Sequence, residues 1–79
     1  MSVTTVILQI LNDTGRRLLR STLLAEVRLR MDGCGESDFR AAIRDLTVAE
    51  LIVVEEDRLT KDSFYKLSPA GEQRIREGK

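Results

Sequence analysis

Arginine is the residue type in this sequence whose spacing most suggests chemistry. Arg40 and Arg44 lie four residues apart in a segment with a helical pattern, so both side chains project from one side of a helix. A guanidinium group can donate paired hydrogen bonds to the edge of guanine or to a phosphate. The same two side chains can instead form surface ion pairs with Glu36, Asp38 or Asp45, and such pairs contribute little to stability. The sequence leaves both interpretations open.

More arginines precede this segment. Arg16, Arg17 and Arg20 lie close together, and Arg28 and Arg30 follow further along the chain. A run of like charges is most often a solvated face. This is nevertheless the most basic part of a chain whose 13 basic residues are balanced by 13 acidic ones. The neutral balance weighs against nucleic-acid binding, which needs at least a local excess of positive charge.

Enzymatic chemistry is not predicted. The chain has no histidine, and its single cysteine, Cys34, lies between Gly33 and Gly35. A lone thiol without a neighbouring base does not form a nucleophilic site, and the sequence contains no glycine-rich phosphate loop. One cysteine cannot form an internal disulfide, and without histidine a zinc site is not expected. We therefore predict no enzyme, no catalytic residue, no metal ligand and no cofactor.

Length and composition indicate one domain over residues 1–79. The hydrophobic content of 42% is ordinary for a globular chain and argues against disorder, despite 33% charged residues. Because tyrosine and phenylalanine together number only three, the core must consist mainly of Leu, Ile and Val. The sequence has no run of about eighteen apolar residues and no secretory leader, so we expect a soluble cytoplasmic chain that does not contact membranes.

The first half of the chain predicts two helices joined by a short strand. Apolar residues recur at helical spacing over 3–13, and Gly15 suits the left-handed backbone that follows a helix end. Residues 16–20 are predicted to contain a short edge strand. The second helix is then expected to begin with Ser21 or Thr22 as its N-cap.

The second half predicts a helix, a hairpin and a final helix. Ser37 is expected to be the N-cap of the first of these helices. Its apolar stripe comprises Phe39, Ala42, Ile43 and Leu46. The pattern then changes to β-branched residues, which predicts a strand over 51–55 that pairs with a second strand over 63–67. Ser68 followed by Pro69 predicts the N-cap and first residue of a short final helix.

These periodicities predict a core formed by one face of each element. Val48 and Phe64 fall on the opposite faces and are expected to be exposed. The predicted core comprises Val6, Ile7, Ile10, Leu11, Leu23, Leu24, Val27, Phe39, Ile43, Leu46, Ile52, Val54, Tyr65 and Leu67.

Two passages resemble the winged helix-turn-helix superfamily, most closely its MarR-like and PadR-like transcription regulators. The passage from Phe39 to Ile52 is similar to a recognition helix and its exit into the first strand of the wing. The passage from Tyr65 to Ile75 resembles the Tyr-x-Leu-Thr-x-x-Gly-x-x-x-Leu pattern that follows the wing. The resemblance implies an α+β fold: a small winged helix-turn-helix of three helices, a two- or three-stranded β wing and a short C-terminal helix.

The resemblance also implies double-stranded DNA as a partner, for a small transcription regulator or a phage- or plasmid-type accessory protein. In such a fold the third helix enters the major groove, and the start of the second helix lies beside the DNA backbone. The wing tip would add further phosphate contacts. The implied DNA-binding residues are Arg17, Arg20, Ser21, Thr22, Ser37, Arg40, Ala41, Arg44, Arg58 and Lys61.

The sequence departs from the family pattern at two places. The family commonly has glycine where this chain has Glu50, so we expect the turn after the third helix to be built differently. The hairpin loop carries acids at 55–57 beside Arg58 and Lys61. An acidic wing suits a protein partner better than a phosphate backbone.

A winged helix that binds a protein and not DNA is therefore the alternative interpretation, because fold does not fix function. Phe64, together with part of the first helix, would then form a homodimer or partner contact. A mosaic of both charges on the folded surface would favour a protein partner. A continuous basic strip along the arginines at positions 17, 20, 40 and 44 would favour DNA.

Overall fold

Three helices and a short strand come first in the chain, and a β-hairpin and a fourth helix follow. A computed structural model describes residues 2–77. Its elements are α1 (Val3–Thr14), β1 (Leu18–Leu19), α2 (Arg20–Arg30), α3 (Glu36–Val48), β2 (Ile52–Glu56), β3 (Ser63–Leu67) and α4 (Pro69–Glu77). The four helices and three antiparallel strands of this range confirm the predicted α+β class. The hairpin strand predicted over 63–67 is confirmed, and the one predicted over 51–55 lies one residue further along.

The three strands form one sheet with the order β1-β3-β2. β1 lies at one edge, as predicted, and pairs with β3 through Leu18 opposite Tyr65. On the other side of β3, Val54 is also opposite Tyr65. The sheet therefore brings the segment before α2 next to a hairpin that lies more than forty residues later in the sequence.

The core lies between the helices and the face of the sheet that carries Tyr65. Most of the predicted core is confirmed, with Leu24, Ile43 and Leu67 only partly buried against it. Val54 was predicted to be buried, and this is wrong: it is 43% exposed. Alternation gives it the same face as Tyr65, but β2 is an edge strand, and Val54 lies nearer the hairpin loop than Ile52, which is 3% exposed on the same face.

Two leucines, Leu8 and Leu18, are buried although neither belongs to the predicted core. Leu8 is buried because α1 contacts α2, α3, β3 and α4 and so buries more than one stripe of side chains. Leu18 is buried because β1 pairs with the centre of β3. Both positions owe their burial to elements that are distant in sequence.

Two predicted N-caps are wrong. α3 begins at Glu36 after Gly35, not after Ser37, because the Asp38 side chain accepts a hydrogen bond from the Gly35 N–H (N to Oδ2, 3.3 Å). α2 begins at Arg20, directly after β1, with Leu19 at the cap position and no side-chain cap. Both predicted capping serines, like Thr22, are therefore inside the first helical turns.

Hydrogen bonds from the start of α4 hold the turn that follows α3. Glu50 adopts a left-handed backbone (φ 60°), so the expectation of a differently built turn is wrong, although the residue costs about 1 kcal/mol more than glycine there. The Ser68 hydroxyl donates to the Glu50 carbonyl (2.6 Å) and accepts from the Gly71 N–H (3.0 Å), which confirms its predicted N-cap role. A Cβ at Gly71 would overlap the Leu51 carbonyl oxygen, so this close approach requires glycine.

Candidate nucleic-acid interface

The outward face of α3 is set by the face that the helix buries. Phe39, Ala42 and Leu46 are buried, and this fixes the rotation of the helix about its axis. Arg40 and Arg44 are consequently exposed, as the sequence predicts. Ser37, Ala41 and Val48 are exposed as well. This helix face has no bulky aromatic side chain that would block its approach to a groove.

Two shallow depressions adjoin beside this face. The first is lined by Arg20, Arg40 and Arg44, together with Ser63 and Tyr65 of β3. The second is lined by Ser21, Lys61 and Glu36, and it shares Arg20 and Ser63 with the first. The start of α2, the exposed side of α3 and the β2–β3 loop thus meet at one surface. We call it the arginine cleft, defined by Arg20, Ser21, Arg40, Arg44 and Lys61.

The arginine cleft carries an excess of positive charge although the whole chain is neutral. Four of its defining residues are cationic, and the carboxylates that line the two depressions are those of Glu36 and Asp62. A local positive surface, and not the net charge of the chain, is what attracts a polyanion at short range. The neutral balance of the whole chain therefore does not by itself exclude an anion-binding role for this surface.

Ion pairs divide the cationic residues of the cleft into two groups. The Nη2 atoms of Arg20 and Arg40 lie 3.4 and 3.3 Å from the same oxygen, Oε1 of Glu36. Arg40 thus forms one of the ion pairs that the sequence left open, with Glu36 as its partner. Arg44 and Lys61 form no ion pair within the described residues 2–77.

Arg17 lines neither depression. Its guanidinium carbon lies 4.3 Å from the ring centroid of Phe64, on the sheet face opposite Tyr65, and its Nη1 lies 2.9 Å from Oε2 of Glu55. The Lys66 ammonium lies 2.8 Å from the other oxygen of the same carboxylate. Hydrogen bonds from Lys66 and from Arg17 hold the pKa of Glu55 below its ordinary value. We call Arg17, Glu55, Phe64 and Lys66 the sheet cluster.

Neither depression is lined by the remaining predicted residues, which are Thr22, Ser37, Ala41 and Arg58. Thr22 is exposed in the first turn of α2, and Arg58 is exposed in the β2–β3 loop. Asp57 shapes this loop, because its carboxylate accepts from Leu59 N–H (2.9 Å) and its carbonyl accepts from Lys61 N–H (2.7 Å). Sequence reasoning missed Ser63 as a cleft residue, since only the sheet order brings it beside Arg20.

Comparison with protein-family models, curated proteins and solved structures finds no match to this chain. Over residues 2–77, none of the helices combines the length and apolar character needed to cross a bilayer. Within the same range, no three His, Cys, Asp or Glu side chains are grouped so that they would hold a metal ion.

Proposed function

We propose that this chain is a winged helix-turn-helix domain that binds double-stranded DNA through the arginine cleft. Its role would be that of a small cytoplasmic transcription regulator or accessory protein. The order of the elements supports the fold: α1, β1, α2 and α3 precede the β2–β3 hairpin, and α3 leads directly into β2. The exposed arginines on α3 support the assignment of this helix to the DNA.

The observation that carries the proposal is the convergence of cations from three separate segments. Arg20 begins α2, Arg40 and Arg44 lie on α3, and Lys61 lies in the hairpin loop, yet all four line adjoining depressions. A solvated charge run on one helix would not produce this arrangement, because its charges would all lie on that one helix. A polyanion with regularly spaced phosphates matches a surface of this kind.

The mechanism follows from the dimensions of the groove. An α-helix of about 10–12 Å diameter fits a major groove about 12 Å wide. α3 would enter the groove and direct Arg40 and Arg44 to base edges or flanking phosphates, and Arg20 and Ser21 would contact the backbone. Lys61 and Arg58 would contact phosphates from the hairpin loop. Binding of this kind weakens steeply as salt concentration rises.

A protein partner is the second candidate, supported by the distribution of ion pairs. The arginines at positions 17, 20 and 40 are each paired with glutamate, so the four-arginine strip is a mosaic of both charges. Val48, the last residue of α3, and Leu59 in the hairpin loop are exposed apolar side chains. The rim of a protein interface is polar and its overall apolar fraction resembles the rest of the surface, so this mixture is compatible with a protein partner.

A titration of the wild-type chain with duplex DNA at low salt tests the first proposal. We expect binding at or below tens of micromolar protein, roughly the weak end of non-specific affinities, with log affinity falling linearly against log salt. No binding in that range would overturn the DNA proposal and leave the protein-interaction module as the proposed function.

A further inference from the structure

Glu36 holds two guanidinium groups from two different helices on a single oxygen atom. Arg20 lies at the start of α2 and Arg40 on the second turn of α3, and their Nη2 atoms lie 3.4 and 3.3 Å from Oε1 of Glu36. Without an anion between them, two cations held this close would repel each other. The pair therefore forms a position that selects a negatively charged oxygen.

The contacts that fill this position are weak and accessible. The side chain of Glu36 is 56% exposed and that of Arg40 is 68% exposed. Exposed ion pairs contribute little because solvent and salt screen them. A non-bridging oxygen of a phosphodiester carries the same charge as the carboxylate oxygen and accepts hydrogen bonds from arginine with similar geometry. A phosphate oxygen would therefore replace the Glu36 carboxylate oxygen with only a small loss of free energy.

We propose that Arg20 and Arg40 form a binding position for one backbone phosphate of DNA, and that Glu36 occupies it in the free chain as an internal competitor. This inference rests on the proposed DNA-binding function and deepens it. Binding at this position displaces the Glu36 carboxylate towards solvent, while both arginines stay in place. Glu36 thereby lowers the affinity for any duplex, whatever its base sequence.

The role of Glu36 in helix capping does not account for this arrangement. The backbone contact that starts α3 is made by Asp38, which accepts from the Gly35 N–H. An acid in the first turn interacts favourably with the helix dipole without any arginine partner. The specific feature is that α2 and α3 each contribute one guanidinium to the same oxygen.

The test is the variant Glu36→Gln, titrated with a duplex DNA of fixed sequence at low salt. We expect the dissociation constant to fall about three- to tenfold relative to wild type, because the competing charge is lost and the side-chain shape is kept. In an Arg40→Ala background the gain should fall below about twofold, since one arginine no longer forms a two-sided position.

Asp45→Asn is the matched control, because it removes the same charge from the same helix. Asp45 lies about 13.5 Å further along the helix axis, next to Arg44, so its loss reports the general effect of removing one negative charge from α3. It makes no ion pair within residues 2–77. We expect this control, titrated at the same low salt, to lower the dissociation constant by less than about twofold, because Asp45 is not held between two arginines. Thermal unfolding monitored by circular dichroism verifies that both variants are folded.

The outcomes separate the two proposals. If wild type binds DNA and Glu36→Gln binds no better than Asp45→Asn, the competitor role of Glu36 is overturned and DNA binding stands. Weaker binding by Glu36→Gln also overturns the inference, because it would mean that the carboxylate orients the arginines productively. If neither wild type nor Glu36→Gln binds DNA, the proposed function fails, and the inference fails with it.

Discussion

The sheet cluster and the arginine cleft both pair arginine with glutamate, but they do so with different geometry. In the sheet cluster, Arg17 covers the Phe64 ring, and Glu55 receives cations at 2.9 and 2.8 Å on its two oxygens. In the cleft, the contacts to Glu36 are 3.3 and 3.4 Å long and meet on one oxygen. The side chain of Glu55 is 33% exposed and that of Glu36 is 56% exposed.

The difference indicates two roles for one residue type. A guanidinium over an aromatic ring gains about 0.5–1 kcal/mol even at an exposed site, so Arg17 has a partner that no ligand needs to replace. Arg20 and Arg40 have only long, screened contacts to Glu36, which a phosphate can replace, and Arg44 forms no ion pair within residues 2–77. Arg17 therefore belongs to the packing of the sheet, whereas Arg20, Arg40 and Arg44 remain available for a ligand.

The largest expected effect comes from the helix packing on which the cleft depends. Leu46→Ala should lower the free energy of unfolding by about 2–5 kcal/mol, because Leu46 is only 3% exposed and its loss leaves a cavity. Urea denaturation measures the change. Val48→Ala on the same helix is the matched control and should cost less than about 0.5 kcal/mol, since Val48 is 78% exposed. Similar small effects at both positions would show that the buried face of α3 is assigned wrongly.

A paired substitution tests the contrast between the two regions directly. Arg44→Ala should weaken DNA binding by about 1–3 kcal/mol and relax sequence preference if Arg44 contacts a base. If it contacts a phosphate, the slope of log affinity against log salt should fall by about one. Arg17→Ala should leave DNA affinity within about twofold and instead lower the free energy of unfolding by about 0.5–1 kcal/mol.

The same measurements can contradict the proposed difference between the sheet cluster and the arginine cleft. A salt slope lowered by about one in Arg17→Ala, with stability unchanged, would place Arg17 on a phosphate, as the family resemblance implies. The ion pair between Arg17 and Glu55 would then have to rearrange when DNA binds, because the carboxylate and a phosphate would compete for the same guanidinium.

The smallest expected effect is a pH dependence that belongs to the sheet cluster. The pKa of Glu55 is lowered from 4.5 by its hydrogen bonds to Lys66 and Arg17. A carboxyl group with a lowered folded-state pKa stabilises the protein above its unfolded-state pKa, and this stabilisation is lost as the pH falls through the folded-state value. Glu55→Gln should therefore be less stable than wild type at pH 7, by a margin that shrinks as the pH falls below about 4.5. Denaturation midpoints at pH 7 and pH 3 measure it, and a margin that does not shrink contradicts the assignment.

Local patterns predicted the elements well. The stripe on α3, the hairpin strands and the Ser68 N-cap follow from spacing and from neighbouring residues, and all three are confirmed. The start of α3 was missed by two residues because two capping arrangements compete there. Ser37 suits a cap by type, but Asp38 reaches back to Gly35 and starts the helix earlier.

The candidate site was less predictable because it depends on contacts between distant segments. Arg40 and Arg44 were found from their spacing on one helix. The pairing of β1 with β3 brings Lys61 and Ser63 beside Arg20. The same pairing leaves Arg17 outside this surface. The spacing of residues within one segment does not reveal which distant strand that segment pairs with. The sequence therefore identified the cations but not the surface that they share.

The position of β1 in the sequence also bears on the order in which the strands of the sheet form. Glu56 and Ser63 close the hairpin across seven residues, whereas Leu18 and Tyr65 close a loop of 47 residues. The longer closure costs about 1.7 kcal/mol more in chain entropy, so we expect β1 to dock after the hairpin and helices have formed. Leu18→Ala should then accelerate unfolding and leave the refolding rate nearly unchanged in stopped-flow experiments. We therefore expect the strand that aligns the start of α2 with the hairpin to join the sheet last and to leave it first.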